Sequence, residues 1–239
     1  MKYKSFLIVR DVPSRGYTHI VMGIKILRRF LLLSDLEATH FFLLERDPKV
    51  VDIRENFPIF HIDWTMEACA RLGIRHLYKN GLPFPFTLDF VVSKTVDEEV
   101  VEQVETVKHP DQAANKEVRK RLSVEANWCR SRPKVPVPYF LVDTSEYVSK
   151  QLLSTLKFMR AWYLHRYESD GRREGRFEAA FSAAYERNTP LRDLIQKTAR
   201  TMRIQETLAL DMFRFCAWHD RIRISLKHRL ALNLPVIMR

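Results

Sequence analysis

An aspartate in the middle of an apolar strand is the feature of this chain that most demands a chemical explanation. Asp89 sits inside Phe86-Thr-Leu-Asp-Phe-Val-Val92, where a carboxylate is costly unless it is paired or bound to a metal. The next extended stretch ends in Glu105-Thr106-Val107-Lys108. Side chains alternate along a strand, so Thr106 and Lys108 share one face and Glu105 points to the other. If the two strands are neighbours, Asp89 and Lys108 meet at one sheet edge. Glu37 could reach the same point from a helix before the sheet, and Glu125 could approach from a helix after it. Two acids and an amine suit metal-dependent phosphodiester hydrolysis. A divalent ion, Mg²⁺ or Mn²⁺, held by the oxygens of Glu37 and Asp89 polarises a phosphate and lowers the pKa of its water. A lysine alongside orients that water or offsets transition-state charge. Plainer readings compete. Glu37 stands three residues after Ser34, the spacing of a capping box, and capping asks for a different side-chain direction from metal binding. Asp89 also reads as a salt-bridged acid at the core edge, and Lys108, before His109-Pro110, as a solvated strand end. A spaced acid-acid-lysine pattern is weak in a chain with 29 acids.

The elements that must position these groups are legible in outline. Ser5–Val9 and Thr18–Gly23 read as short strands, with Pro13 and Gly16 punctuating the loop between them. A helix opens at Ser34 and runs to about Arg46, with Leu36, His40, Leu43 and Leu44 on one face. Val50–Ile53 reads as extended, and Pro58 as the end of the loop after it. Residues 63–72 form a short helix stopped by Gly73. Phe86–Val92 and Val100–Val107 pair as a hairpin through the acidic turn Asp97-Glu98-Glu99. A helical pattern runs from Asp111 to about Cys129, and Pro138–Asp143 returns as a strand. The result is a mixed sheet with covering helices, an α/β core. Beyond Thr144 the texture becomes helical, with segments near 146–166, 175–187, 190–202 and 205–218. The linker Ser169-Asp170-Gly171-Arg172-Arg173 divides the first two segments. Residues 190–218 are compatible with a helix-turn-helix, and Arg221–Leu226 with a small wing strand. Two domains follow, residues 1–145 and 146–239.

Composition narrows the classes. The chain has 239 residues, is 46% hydrophobic and carries 40 basic against 29 acidic side chains, a net charge of +11. Such a balance favours anionic partners, nucleic acid first. Residues 144–239 hold a net of +8 and residues 1–143 only +3, so the second part is the better backbone-binding surface. Arg172, Arg173, Arg176 and Arg200 are candidates for gripping phosphate, contacts that position a duplex without reading its sequence. Cys69, Cys129 and Cys216 form no CxxC pair, which argues against a zinc ribbon or a disulfide scaffold. His40 and His61 lack zinc-site spacing. With six glycines and no Gly-rich phosphate loop, ATP binding is not indicated. The apolar run at Phe30–Leu33 is far short of the about 20 residues a membrane span needs, and the N-terminus does not read as a signal peptide. A cytoplasmic protein acting at the nucleoid is expected.

Longer stretches carry a family likeness. LLSDLEATHFFLLERDPKVVDIRENFPIF at 32–60 is the most specific; ACARLGIRH at 68–76, TLDFVV at 87–92, VETVKHP at 104–110 and DVPSRGYTH at 11–19 accompany it. On these residues the chain resembles the TnsA family, the endonuclease subunit of heteromeric cut-and-paste DNA transposases. The resemblance covers residues 1–143. It implies a restriction-endonuclease-like catalytic domain followed by a helical, winged-helix-like domain. It puts the family's catalytic acids on Glu37 and Asp89, its lysine on Lys108 and a helix glutamate on Glu125. Metal ligands would be Glu37 and Asp89 with backbone help from Thr106 and Val107. Thr106 stands where the family often has Gln or Glu, so a side-chain ligand is replaced. The resemblance further implies cleavage at the 5′ ends of a double-stranded transposon, a DDE-type transposase partner for the 3′ ends, and an AAA+ ATPase regulator. The alternatives are a stand-alone restriction or repair nuclease and a non-catalytic scaffold joining transposase to ATPase.

Overall fold

The computed structural model describes residues 3–7, 17–132 and 136–239. It divides into two compact units, Met1–Val148 and Ser149–Arg239.

The first unit opens with a two-stranded antiparallel ribbon, β1 (His19–Met22) and β2 (Arg29–Leu32). The expected strand at Ser5–Val9 is not formed over Ser5–Leu7; Ile8, Val9, Pro13 and Gly16 lie outside the described residues. Gly23 is required where the ribbon turns: a Cβ there would meet the Ile26 carbonyl at 2.3 Å and the Phe30 ring at 2.6 Å. Helix α1 (Asp35–Arg46) follows at once, capped by Ser34, whose side chain accepts from the Glu37 amide. Strand β3 (Val50–Ile59) is longer than expected and includes Pro58, which pairs with Thr87. Pro58 is tolerated because β3 is an edge strand. Helix α2 (Ile62–Leu72) ends at Gly73, whose φ of 63° is the left-handed conformation glycine adopts without cost. A short ribbon, β4 (Tyr78–Lys79) and β5 (Leu82–Pro83), leads into β6 (Phe86–Val96), which forms the expected hairpin with β7 (Glu99–Val107). Asp97 and Glu98 at its tip have φ of 49° and 67°, the two-residue turn whose twist matches the strands. The single helix expected from Asp111 to Cys129 is two, α3 (Pro110–Ala114) and α4 (Lys116–Arg130), because Asn115 turns extended and caps the second. Strand β8 (Tyr139–Val142) closes a sheet of order β3-β6-β7-β8, antiparallel except for β7 with β8.

This is the mixed sheet flanked by helices that the sequence indicated. Ile59, Phe86, Leu88, Val91 and Val104 pack with Ala68 and Cys69 of α2 and Val124, Trp128 and Cys129 of α4. On α1, Ala38, Phe41, Phe42 and Leu44 are buried. A regular strand would send every second residue of β6 to one face. Here Phe86, Leu88 and then Val91 share the α2/α4 core, so the alternation slips beside Asp89.

The second unit holds α5 (Lys150–Leu164), α6 (Arg172–Ala184), α7 (Leu191–Met202) and α8 (Glu206–Trp218). Helix α6 begins three residues earlier than the sequence suggested and takes in Arg172 and Arg173 of the expected linker. Pro190 caps α7 instead of opening it. No strand forms at 221–226 among the described residues; extended pairing there reduces to an isolated antiparallel bridge of Ile224 with Met238, and a second bridge joins Pro190 to Pro235.

Candidate functional site

Asp89 sits where the sheet opens. The β3–β6 register runs through Glu55–Phe90 and Phe57–Leu88 and skips Asp89, and the β6–β7 ladder begins only at Phe90–Glu105. Opposite Asp89, Asn56 adopts a φ of 51° and turns its side-chain amide to the Leu31 carbonyl at 2.8 Å. Released from both ladders, the strand next door turns its donors to Asp89. The Val107 amide donates to Oδ2 at 2.8 Å and the Lys108 ammonium to the same oxygen at 2.6 Å. The expected meeting of Asp89 and Lys108 on adjacent strands is therefore present.

Glu37 joins them from α1. Its Oε2 accepts the Leu33 amide at 2.8 Å and its Oε1 the Ser34 hydroxyl at 3.2 Å. Burial first and the Asp89 charge second raise the Glu37 carboxyl to about 7. The sequence set capping against approach to Asp89 as competing directions. In the folded chain Glu37 keeps its local cap contacts while the charges of Asp89 and Lys108 still act on it.

Glu125 comes from α4. It is 8% exposed, and its carboxyl is pushed up to about 8, by burial first, with the Lys108 charge opposing and the Asp89 charge adding. The Tyr139 hydroxyl, at the start of β8, donates to it at 2.8 Å. Burial alone would lower the Lys108 ammonium. The charges of Asp89, Glu125 and Glu37 outweigh it and hold the amine above its ordinary value. Three acids from three elements thus act on one lysine.

Thr106 and Glu105 divide as strand alternation requires. Thr106 is fully buried beside Glu125 and Tyr139, where it opposes in part the rise that burial imposes on both groups. Glu105 faces α1 instead. His40 Nε2 lies 2.6 Å from one of its oxygens and Lys94 Nζ 2.9 Å from the other. Burial opposes ionisation there, but these two partners hold the Glu105 carboxyl down to about 2. Val107 keeps its amide on the Asp89 side.

A cleft of about 390 Å³ is lined by Asp89, Lys108 and Glu125, with Thr87, Gln112 and Arg121 among its other walls. Gln112 and Arg121 were not singled out from sequence. Arg121 stands one helical turn before Glu125, so the i, i+4 rule alone carried the signal. Its guanidinium makes one long contact, 3.5 Å to the Arg75 carbonyl. Among the described residues no three His, Cys, Asp or Glu side chains group tightly enough to cage a metal by themselves. His40 and His61 are occupied elsewhere: His40 with Glu105, His61 with the Trp128 indole at 2.9 Å.

The four arginines expected to grip phosphate belong to the second unit and are all exposed. Arg172 and Arg176 stand one turn apart on α6, Arg173 pairs with Asp170 at 3.3 Å, and Arg200 lies in the last turn of α7. No helix among the described residues is long and apolar enough to cross a membrane.

No family model matches the chain. The chain is similar to the transposon Tn7 transposition protein TnsA of Escherichia coli, at 39% identity over 90 residues, 38% of this chain and 33% of that protein. The match therefore spans about a third of the length of this relative, and over that stretch the TnsA-like character read from the sequence is borne out.

Proposed function

We propose that this chain is a metal-dependent DNA endonuclease subunit of a heteromeric transposase, with a restriction-endonuclease-like core in residues 1–145. The observation that carries the reading is the Asp89–Lys108 ion pair at an opening in the sheet, with Glu125 lining the same cleft and Glu37 acting on both charges from α1.

The residues fit a divalent cation. Burial raises two carboxyls toward neutrality, Glu37 to about 7 and Glu125 to about 8, and three acids act on one ammonium. Mg²⁺ typically takes only one or two carboxylates and completes its shell with water and phosphate oxygens, so the lack of a three-acid cage is no obstacle. Glu37 and Asp89 would hold the ion. A residue's N–H and C=O leave a strand on the same side, so the Val107 carbonyl, on the Asp89 side, is the better-directed backbone ligand, while the backbone of Thr106, like that of Val104, turns toward β8. When bound, Mg²⁺ or Mn²⁺ supplies Lewis acidity toward the phosphate and acidifies its water. Lys108, kept cationic by the acids around it, orients the attacking water and offsets charge on the phosphate. Glu125, raised to about 8 by burial, is suited to give or take a proton in the cleft near neutral pH. Arg121 and Gln112 at the cleft wall would meet neighbouring phosphate oxygens.

The substrate in this reading is double-stranded transposon-end DNA cut at its 5′ ends. A DDE-type transposase would process the 3′ ends and an AAA+ ATPase would regulate the assembly. The helical, winged-helix-like second unit, through Arg172, Arg173, Arg176 and Arg200, would steady the duplex and meet partners. The test is cleavage of end-containing DNA by the full assembly with wild-type chain or Asp89→Ala. Loss of 5′-strand cuts with 3′-strand cuts retained is expected. Retained 5′ cleavage in the variant overturns the mechanism, and wild-type assemblies that make only 3′ cuts favour the scaffold reading.

A further inference from the structure

His40 and Glu105 take no part in the cluster just described, yet they are buried and paired directly behind it. His40 lies one turn after Glu37 on α1 and is 5% exposed. Its Nε2 reaches Glu105 of β7 at 2.6 Å, and its Nδ1 lies 3.2 Å from the Tyr147 hydroxyl. Its ring centroid is 5.4 Å from that of Phe90, the residue after Asp89 on β6. Glu105 in turn holds Lys94 of β6 at 2.9 Å and accepts from Gln103. One imidazole therefore touches the strand of Asp89 and the strand of Lys108 from the helix that carries Glu37.

Stability alone gives little reason for such a pair. Replacing a buried ionic pair by apolar side chains of similar volume is often neutral or stabilising. Fixed geometry is a better reason. A metal site tolerates displacements of only about 0.2 Å in its ligand distances. Here its two acids come from elements that nothing covalent holds in register: Glu37 and Asp89 are 52 positions apart. The ladder that would ordinarily lock β6 to β7 is missing at Asp89 itself. The His40–Glu105 pair ties α1 to β7, and the His40–Phe90 contact ties α1 to β6, one residue from the gap.

We infer that His40 and Glu105 are positioning residues, a clamp that sets the approach of Glu37 to Asp89 and so tunes divalent-ion affinity without touching the ion. This rests on the metal reading proposed above. Strand alternation makes it economical: the acid preceding Thr106 cannot face the cleft, and it is used to lock the helix on the other side.

The test is Mn²⁺ binding to the full-length chain by titration, without DNA, alongside thermal unfolding in metal-free buffer. His40→Phe keeps a ring against Phe90 and removes both hydrogen bonds; Glu105→Gln removes the charge. Each should weaken Mn²⁺ binding about tenfold or more, the scale of lost outer-shell support. The decisive variant is the double change His40→Phe with Glu105→Leu. It should recover wild-type unfolding temperature while Mn²⁺ affinity stays low, and the Mg²⁺ needed for half-maximal cleavage should rise in parallel. Wild-type Mn²⁺ affinity in the folded double variant overturns the clamp and leaves the metal reading standing. If the single variants do not fold, the double variant alone decides. Absence of Mn²⁺ binding by the wild-type chain overturns the metal reading and the clamp with it.

Discussion

Replacing Glu125 by Gln should make the metal-free protein more stable at alkaline pH. The carboxyl is buried, and its folded-state pKa is raised from 4.5 to about 8, by burial first and by Asp89 against the opposing Lys108. A raised folded value means that the folded state keeps a proton the unfolded chain has lost. The stabilisation is then fully present below about pH 4.5 and is lost as pH rises through about 8. One extra proton bound in the folded state is worth about 1.4 kcal/mol per pH unit. Across the window the wild-type chain should lose on the order of a few kcal/mol from this residue alone. Glutamine cannot titrate, and its amide oxygen can still accept the Tyr139 hydroxyl, so the variant isolates the charge from the packing. The assay is urea unfolding in a chelating buffer at several pH values from 5 to 9. Glu37, raised to about 7, adds its own slope to both proteins, so the difference between them is what counts. It should approach about 1.4 kcal/mol per pH unit between pH 5.5 and 7.5. The variant should be the more stable of the two at pH 9, and saturating Mg²⁺ should narrow the gap there by neutralising the ionised cluster. Parallel curves for the two proteins would refute the burial of a neutral Glu125.

The same titrations govern ligand binding. Glu37 must lose its proton to hold a cation, so Mn²⁺ affinity should rise up to about tenfold per pH unit below pH 7 and level off above it; affinity that is flat from pH 5.5 to 8.5 would contradict this. Arg121→Ala should weaken duplex binding measured in Ca²⁺ and reduce the slope of log affinity against log salt by about one phosphate's share, near 0.9. An unchanged slope would mean that Arg121 does not meet the backbone.

Much of the site was legible because its signals are local. The Ser34–Glu37 cap needs three residues of spacing, the Asp97-Glu98 turn needs two, and a carboxylate in an apolar strand is conspicuous by itself. What stayed hidden depends on partners distant in sequence. Strand β2 is four residues long and is held by β1 across the loop 23–28. Pro58 reads as a stop unless β3 is known to be an edge strand. Asn115 breaks a helical pattern that periodicity alone continues. His40 looked like an ordinary residue on a helix face because its partner Glu105 lies 65 positions away. The lapse in pairing at Asp89 has no sequence signature, since it depends on strand partners that only the fold brings together.

On the metal reading, the Asp89–Lys108 ion pair raises a question of entry: whether the ammonium blocks the cation. Both donors to Asp89, the Val107 amide and the Lys108 ammonium, fall on Oδ2. A cation can therefore bind through Oδ1 without first breaking the pair, and an amine fixed at one carboxylate oxygen then stands beside an ion at the other. Water held between them would be acidified from one side and oriented from the other. The Val107 amide sets this division, because it is free to turn to Asp89 only where the β6–β7 ladder has lapsed. Restoring that ladder would give Oδ2 no backbone donor and let the carboxylate rotate onto the lysine with both oxygens. The opening in the sheet thus gathers both donors on one oxygen of Asp89, and in the metal reading proposed above it leaves the other to the cation.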